Sequence, residues 1–307
     1  MSLSVKEILS LGKRQLEESG VRDADIDSKL LYCYMMNITR TQLVLEYQEV
    51  LQDMLCDKYF ALIDRRSKGE PFQYITGSQQ FMGFDFIVNE HVLIPRADTE
   101  NLVEGASNVI SGKMPLSNEE LDKKYRRKKW DVLDLCTGSG AIGISLAKLN
   151  ENVNVICTDY SHQALDVAKA NAEKNGVTKK IEFREGDLFA PFKGAFKKKK
   201  FDMIISNPPY IERDVIDTLE REVREHEPIA ALDGGEDGLD FYRRIVEEAP
   251  TFMKKNGVLM LEIGHNQGEP LRELLGEKGD FENIQVFKDL AGLDRVVFCT
   301  LNSSKKK

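Results

Sequence analysis

Residues 134–143 read Asp-Leu-Cys-Thr-Gly-Ser-Gly-Ala-Ile-Gly, and this stretch decides the fold. It follows a short apolar run at residues 132–135 and opens a segment of helical spacing that reaches Leu149. The glycines allow the backbone to turn sharply and to approach a ligand closely, while the N-terminus of the following helix favours electron-rich groups. An apolar run, a glycine-rich turn and a helix together predict the cofactor loop of a parallel α/β sheet.

Working outward toward the C-terminus, apolar runs of strand length alternate with stretches of helical spacing. With the run before the loop, they lie at residues 132–135, 153–158, 181–184, 203–206, 258–263, 284–287 and 296–301. The alternation predicts an α/β fold with a seven-stranded, mostly parallel, Rossmann-like sheet that has helices on both faces. Only residues 288–295 join the last two runs, which is too short for a helical crossover. We therefore expect these two strands to be antiparallel neighbours.

Working outward toward the N-terminus, residues 1–70 carry apolar side chains at helical spacing. Ser4, Asp27 and Thr39 are the residues expected to cap these helices. The pattern predicts a small all-helical N-terminal domain.

Between the two domains, residues 71–97 are predicted to form a linker. Its middle alternates around Met82-Gly83 and predicts a β-hairpin. Asp98-Thr99 should then cap the first helix of a domain that spans residues 98–302. The polar stretch 111–129 is predicted to be a surface connection, and residues 303–307 a basic tail.

Composition excludes several classes of protein. The formal net charge of -8 disfavours tight binding to a phosphate backbone, and no apolar run is long enough to cross a membrane. The five cysteines are scattered and show no spacing typical of a metal or disulfide site. We expect a cytoplasmic, monomeric protein that has no metal site and binds neither membrane nor nucleic acid.

The glycine spacing alone fits two cofactors. Asp159 lies about twenty residues beyond the loop, as a nicotinamide dinucleotide site requires, and would accept hydrogen bonds from both ribose hydroxyls of either cofactor. Asp134 ends the first strand, where a carboxylate can meet the ammonium of an amino-acid moiety. S-adenosylmethionine carries such an ammonium and NAD does not. Asp134 therefore favours S-adenosylmethionine, whereas Asp159 does not discriminate.

Asp187 and Leu188 follow the third strand and are candidates for the adenine site. The carboxylate of Asp187 would accept a hydrogen bond from the exocyclic amine, and Leu188 would cover the face of the ring. The alternative is that Asp187 only caps a turn.

Asn207-Pro208-Pro209-Tyr210 follows the fourth strand, at the sheet edge where ligands of parallel sheets bind. The prolines fix the backbone and remove two N–H donors, so the loop offers oxygens alone. An amide or aromatic amine is a poor nucleophile that gains positive charge on methylation. Hydrogen bonds to Asn207 and the Pro208 carbonyl would orient its lone pair, and Tyr210 would stack on the planar group. The tetrapeptide predicts methyl transfer to such a nitrogen.

These residues resemble the release-factor glutamine methyltransferase family (the HemK/PrmC type) over nearly the whole chain. Gly69-Glu70-Pro71, Gln73-Tyr74-Ile75 and Val92-Leu93-Ile94-Pro95-Arg96 are similar to the linker signature of that family. The resemblance implies a helical domain that docks a protein substrate and a seven-stranded methyltransferase domain. It also implies methyl transfer from S-adenosylmethionine to N5 of the glutamine in the Gly-Gly-Gln motif of peptide chain release factors.

Carried over by position, the resemblance implies two sets of contacts. The cofactor contacts are Cys136, Thr137, Gly138, Ser139, Gly140, Asp159 and Leu188, and the glutamine contacts are Asn207, Pro208, Pro209 and Tyr210. Three residues depart from the family pattern: Ala97 replaces a proline, Cys136 a frequent glycine and Leu188 a common aromatic residue. None removes a group that the mechanism needs.

Four alternatives remain. DNA adenine methylation poses the same chemical problem but needs a basic recognition region. Glutamine methylation of a ribosomal protein would use identical chemistry. A binding module without catalysis is disfavoured by the intact Asp134, Asp159 and Asn207, and an NAD-dependent dehydrogenase by the lack of a catalytic His or Lys group.

Overall fold

The computed structural model describes residues 3–114, 129–193 and 199–302. They form two compact units, a helical unit of the residues up to Ser78 together with Leu219–Glu227, and a sheet unit of the remainder. The tail 303–307, Lys197, Lys198 and residues 115–128 of the predicted surface connection lie outside the described residues. No helix in the described ranges is long and apolar enough to cross a membrane.

Helices occur in both units. In chain order they are α1 (Val5–Glu18), α2 (Ala24–Met36), α3 (Arg40–Glu46), α4 (Asp53–Ser67), α5 (Phe72–Thr76), α6 (Ala97–Ile110), α7 (Ala141–Leu149), α8 (His162–Lys174), α9 (Arg213–Ile216), α10 (Arg221–His226), α11 (Asp240–Phe252) and α12 (Gly268–Lys278).

The helix starts of the helical unit follow the predicted caps at two of three positions. Ser4 and Thr39 accept hydrogen bonds from the third backbone N–H of α1 and α3, and each forms a capping box. The prediction for Asp27 was wrong, because α2 begins after Asp23 and Asp27 lies one turn inside it. Its carboxylate accepts a hydrogen bond from Arg66 Nε at 2.7 Å instead.

The core of the helical unit combines an apolar cluster with this buried ion pair. Side chains of α1, α2 and α4, among them Ile8 and Tyr59, are fully buried. Arg66 pairs with Asp27 and also with Glu222, whose carboxylate lies 2.7 Å from Nη2. The segment Leu219–Glu227, which is distant in sequence, is therefore part of this core.

The sheet unit opens with the predicted hairpin. Its strands are β1 (Ser78–Phe81) and β2 (Phe84–Ile87), with positive φ angles at Met82 and Gly83 between them. The next helix, α6, begins at Ala97, so the prediction that Asp98-Thr99 caps it was wrong; both residues lie in its first turn. The Thr99 side chain is used elsewhere, as described below.

The main sheet has seven strands in the order β5-β4-β3-β6-β7-β9-β8. They are β3 (Trp130–Leu135), β4 (Val153–Asp159), β5 (Ile181–Glu185), β6 (Phe201–Ser206), β7 (Met253–Glu262), β8 (Phe281–Lys288) and β9 (Asp294–Leu301). Strands β3 to β7 pair in parallel, and β8 and β9 are antiparallel neighbours, as predicted. Strand β9 is also antiparallel to β7.

Alternating strand residues bury opposite faces of this sheet. Val132 packs in a cluster with α6 and α7, whereas its neighbour Leu133 packs in a second cluster with α11 and α12. Leu135 of the central strand β3 is in register with Thr158 of β4 and Ser206 of β6. The residues that follow these three strands consequently meet at one edge.

Candidate active site

The turn after β3 adopts the sharp geometry that its glycines predict. Cys136, Gly138 and Gly140 all have positive φ, between 54° and 82°. A Cβ atom at Gly140 would lie 2.6 Å from Cδ1 of Ile144, so this position has no room for a side chain. The Cys136 backbone is in a left-handed conformation that glycine adopts more easily.

Asp134 lies beneath this turn and is fully buried. Its Oδ2 accepts hydrogen bonds from Thr137 Oγ1 at 2.6 Å and from the Gly143 N–H at 3.0 Å. Its Oδ1 is buried and accepts no hydrogen bond from the described residues. Burial raises the pKa of Asp134 to about 7. The carboxyl group thus supports the loop and the start of α7, and its contact with an ammonium stays a prediction.

Asp159 ends β4 and faces an open cleft. Its Oδ2 accepts a hydrogen bond from the Gly138 N–H at 2.9 Å, and its Oδ1 accepts one from the Ser161 N–H at 3.0 Å. Burial raises its pKa. The carboxylate therefore accepts from backbone N–H groups of both loops and borders the cleft, where it can also accept from hydroxyl groups of a ligand.

The cleft lies entirely within the sheet unit. It is lined by His91, Val92, Leu93, Cys136, Gly138, Asp159, Tyr160, Ser161, Ala164, Gly186, Asp187, Leu188, Asn207, Pro209, Pro228, Ala230, Ala231 and Phe241. At least one predicted site residue from the end of each of the strands β3, β4, β5 and β6 lines the cleft.

Other predicted site residues do not line the cleft. These are Asp134, Thr137, Ser139, Gly140, Pro208 and Tyr210. Thr137 and Ser139 are buried and belong to the fold of the loop. The predicted site thus divides into residues that border the cleft and residues that support those at its border.

At the predicted adenine site, Leu188 is buried and has a positive φ of 47°. The Asp187 carboxylate is half exposed and forms an ion pair with Arg244. Arg244 lies 5.8 Å from the centroid of the Phe241 ring, which also borders the cleft. The carboxylate is therefore held by a cation from α11, and its hydrogen bond to an adenine stays a prediction.

Residues 207–210 follow β6 and are held by side chains from three other elements. Asn207 Nδ2 donates to Thr99 Oγ1 of α6 at 3.2 Å. The Tyr210 hydroxyl donates to Glu262 Oε1 of β7 at 3.3 Å, and Gln267 Nε2 donates to the Tyr210 carbonyl at 2.9 Å. Burial raises the pKa of Tyr210, which keeps the phenol protonated. Asn207 borders the cleft with its amide already held in place.

This chain is similar to known proteins over nearly its whole length. Residues 7–77 match the family described as the PrmC N-terminal domain, and residues 126–302 match a methyltransferase domain. A release factor glutamine methyltransferase from Bacillus cereus is 36% identical over 299 residues, covering 97% of this chain and 100% of that protein. One from Clostridium acetobutylicum is 38% identical over 295 residues, covering 96% and 98%.

The chain belongs to the release factor glutamine methyltransferase family. Membership in this family makes it a methyltransferase, as the loop after β6 predicts. Among solved structures, a 16S rRNA N2 G1207 methyltransferase from Thermus thermophilus is 18% identical with a TM-score of 0.48, covering 73% of this chain and 50% of that one.

Several residues of this release factor glutamine methyltransferase family member have places in the site that were not predicted from the sequence. His91 and Phe241 line the cleft, and Thr99 and Glu262 hold residues 207–210. A Cβ atom at Gly234 would lie 2.7 Å from the Tyr210 Cα atom. Of these residues, only Glu262 could have been singled out from the sequence, because it is an acidic residue at the end of an otherwise apolar run.

Proposed function

We propose that this protein transfers a methyl group from S-adenosylmethionine to the side-chain amide nitrogen, N5, of the glutamine in the Gly-Gly-Gln motif of peptide chain release factors. One observation carries the proposal: Asn207, from a loop that offers acceptors, borders the same cleft as the Asp159 carboxylate. The names of the relatives support the choice of a release factor.

The residues of the cleft fit S-adenosylmethionine. The cleft brings polar groups of the loops after β3, β4 and β6 together with apolar side chains such as Leu188, Pro209 and Phe241. Asp159 would accept hydrogen bonds from the ribose hydroxyls, and Leu188 would cover the adenine. Asp134 lies beneath the loop and does not line the cleft, but its unpaired Oδ1 makes it the candidate for the ammonium once the cofactor is bound.

The bound cofactor would supply a methyl group on a sulfonium, a leaving group that departs as a neutral thioether. The residues of the tetrapeptide would prepare the amide to attack it. Asn207 Oδ1 and the Pro208 carbonyl would accept hydrogen bonds from the two N–H groups, which turns the nitrogen lone pair toward the methyl carbon. Pro209 would close the cleft wall beside the amide, and Tyr210 would orient its plane.

Charge balance explains why no general base is required. The N–C bond forms as the S–C bond breaks, so the positive charge passes from sulfur to the amide nitrogen. The acceptors at Asn207 and Pro208 stabilise that charge, and the acidified nitrogen then loses one proton to water. Removal of the Asn207 acceptor should raise the barrier by about 3 kcal/mol.

The test uses methyl-labelled S-adenosylmethionine and a release factor that carries either Gly-Gly-Gln or Gly-Gly-Ala. We expect label only on the glutamine form, and about a hundredfold lower rate with Asn207→Ala. Asn108→Ala, the same change at an exposed position of α6, is the matched control and should label normally. No label on either form, despite binding of the cofactor, would exclude release factors as substrate and direct the search to ribosomal-protein glutamine and then DNA adenine.

The helical unit is the proposed docking surface for the release factor. The match of residues 7–77 to the PrmC N-terminal domain supports this assignment. A substrate-docking role predicts that changes to exposed side chains of this unit raise KM for the release factor and leave cofactor affinity unchanged.

A further inference from the structure

Thr99 hydrogen-bonds to Asn207 and influences the buried carboxyl of Glu262. Its Oγ1 accepts a hydrogen bond from Asn207 Nδ2 at 3.2 Å. The Thr99 hydroxyl also lowers the pKa of the buried Glu262 carboxyl. Oε1 of that carboxyl accepts from Tyr210, whereas its Oε2 is buried and accepts no hydrogen bond from the described residues, so Oε2 is the oxygen to which a proton from Thr99 would be donated. Thr99 and Glu262 are both buried. The arrangement is a short chain from the substrate-side amide to a buried acid.

The direction of this chain follows from counting protons. A hydroxyl group has one proton to donate. If Thr99 donates it to the Glu262 carboxylate, Thr99 can only accept from Asn207, so the Asn207 group that faces it must be the NH2. An ionised carboxylate has no proton to donate, and it therefore fixes the orientation of both groups.

The Asn207 amide needs such a constraint, because its oxygen and nitrogen have nearly the same shape. With the amide rotated by 180°, Oδ1 would face Thr99 and the NH2 would face the cleft. An NH2 group there would meet the N–H groups of the substrate amide, donor against donor. A buried pair of facing donors is costly, and the productive pose would be lost.

We propose that Thr99 and Glu262 are positioning residues that fix the Asn207 side chain with Nδ2 toward Thr99 and Oδ1 available to the substrate amide. The inference rests on the proposed function and deepens it. Asn207 lines the cleft and neither Thr99 nor Glu262 does, so both would act through Asn207 and not on the reacting atoms. Glu262 also accepts from the Tyr210 hydroxyl, so one buried acid holds both ends of the tetrapeptide.

The charge state of Glu262 should then control activity. Burial raises its pKa to about 7, the Thr99 hydroxyl, Arg295 and Tyr210 lower it, and Asp98 raises it. Tyr242 of α11 donates to the backbone carbonyl of Glu262, not to its carboxyl. Protonation of Glu262 gives it a proton to donate, which removes the constraint on Thr99. We expect kcat to fall as the pH drops through 7.

The experiment measures kcat and KM for the release factor, together with the Kd of S-adenosylhomocysteine, in Thr99→Val, Thr99→Ser and Glu262→Gln. Thr99→Val should lower kcat about 10- to 100-fold with KM and Kd unchanged, since only the orientation of Asn207 is lost. Thr99→Ser keeps the hydroxyl and should restore most of the rate. Thr300→Val is the matched control. Thr300 lies on β9, is also buried, and accepts a hydrogen bond from Asn283, and neither of these two residues lines the cleft.

Glu262→Gln provides a readout that a purely structural role would not change. This variant should have a lower kcat than the wild type at pH 8. Between pH 8 and 6, its kcat should not show the decrease that protonation of Glu262 causes in the wild type. Asp134 also has a pKa of about 7, and a limb of the profile that survives in Glu262→Gln belongs to other groups. Unfolding temperatures identify any variant that has not folded.

Two outcomes would overturn the inference. The first is that Glu262→Gln, and Thr99→Val if it folds, have the same kcat as the control Thr300→Val. The other is a pH profile of Glu262→Gln identical to that of the wild type. Failure of the proposed function would look different, because the wild-type protein itself would then transfer no label to the release factor.

Discussion

Replacing Asp159 by alanine tests the assignment of the cofactor site most directly. Each oxygen of its carboxylate already accepts one backbone N–H, from Gly138 at 2.9 Å and from Ser161 at 3.0 Å. The remaining acceptor positions would bind two ribose hydroxyls. A hydrogen bond to a charged group contributes about 1.5–3 kcal/mol, and the two are not additive. We expect a total loss of about 3 kcal/mol, which is roughly a 150-fold rise in Kd.

The assay is calorimetric titration with S-adenosylhomocysteine and with an analogue that lacks both ribose hydroxyls. Burial raises the pKa of Asp159, so a pH of 8 keeps the carboxylate ionised. In a double-mutant cycle, the analogue should bind the wild type weakly and lose little more in Asp159→Ala. Asp85→Ala, at an exposed position of β2, is the control. Equal losses for both ligands in Asp159→Ala would refute the ribose contact, because the effect would then lie in the loop.

Three further predictions concern the groups that support the site and the helical unit. Burial raises the folded-state pKa of Asp134 to about 7, so the contribution of Asp134 to stability is present at low pH and is lost as the pH rises through 7. The unfolding free energy of the wild type, measured relative to that of Asp134→Asn, should therefore fall from pH 5 to 8. A difference that stays constant with pH would contradict this. Arg66→Met leaves the buried Asp27 carboxylate without its main partner and should destabilise the helical unit by about 3–5 kcal/mol in urea unfolding, whereas the double variant with Asp27→Leu should recover most of the loss. The Asn171 side chain hydrogen-bonds to both backbone groups of Ile87 and to the Ser139 carbonyl. Asn171→Ala should therefore lower the unfolding temperature and weaken the binding of S-adenosylhomocysteine. An unchanged Kd would show that the loop after β3 does not need this support.

The sheet could be predicted from the sequence because its strands are buried on both faces. Such strands are continuous apolar runs, and all seven appear near their predicted places. Only their ends differ: β7 begins at Met253 and not at residue 258, because its first residues include Lys254 and Lys255 and do not have an apolar pattern. The antiparallel final pair followed from the length of one connection.

The site was predictable to the level of loops, and less so to the level of side chains. The end of a strand fixes the sheet edge at which a residue lies, and Asp159 and Asn207 border the cleft as that argument requires. It does not say whether a side chain points into the cleft or beneath the loop, which is why Asp134 supports the turn. Contacts such as that of Thr99 with Asn207 join residues 108 positions apart and leave no local pattern.

The ion pairs of the helical unit bear on how this protein can be divided or recombined. Arg66 pairs with Glu222 and Arg22 with Glu220, and both acids belong to the stretch Leu219–Glu227, which follows residues 207–210 in the sequence. A fragment that stops at Ser78 would lack these carboxylates and the backbone that presents them. A chimaera that takes its N-terminal half from a relative would join arginines of one parent to acids of the other. The helical unit therefore cannot be exchanged as the first 78 residues alone. Replacing it requires that Met1–Ser78 and Leu219–Glu227 be exchanged together.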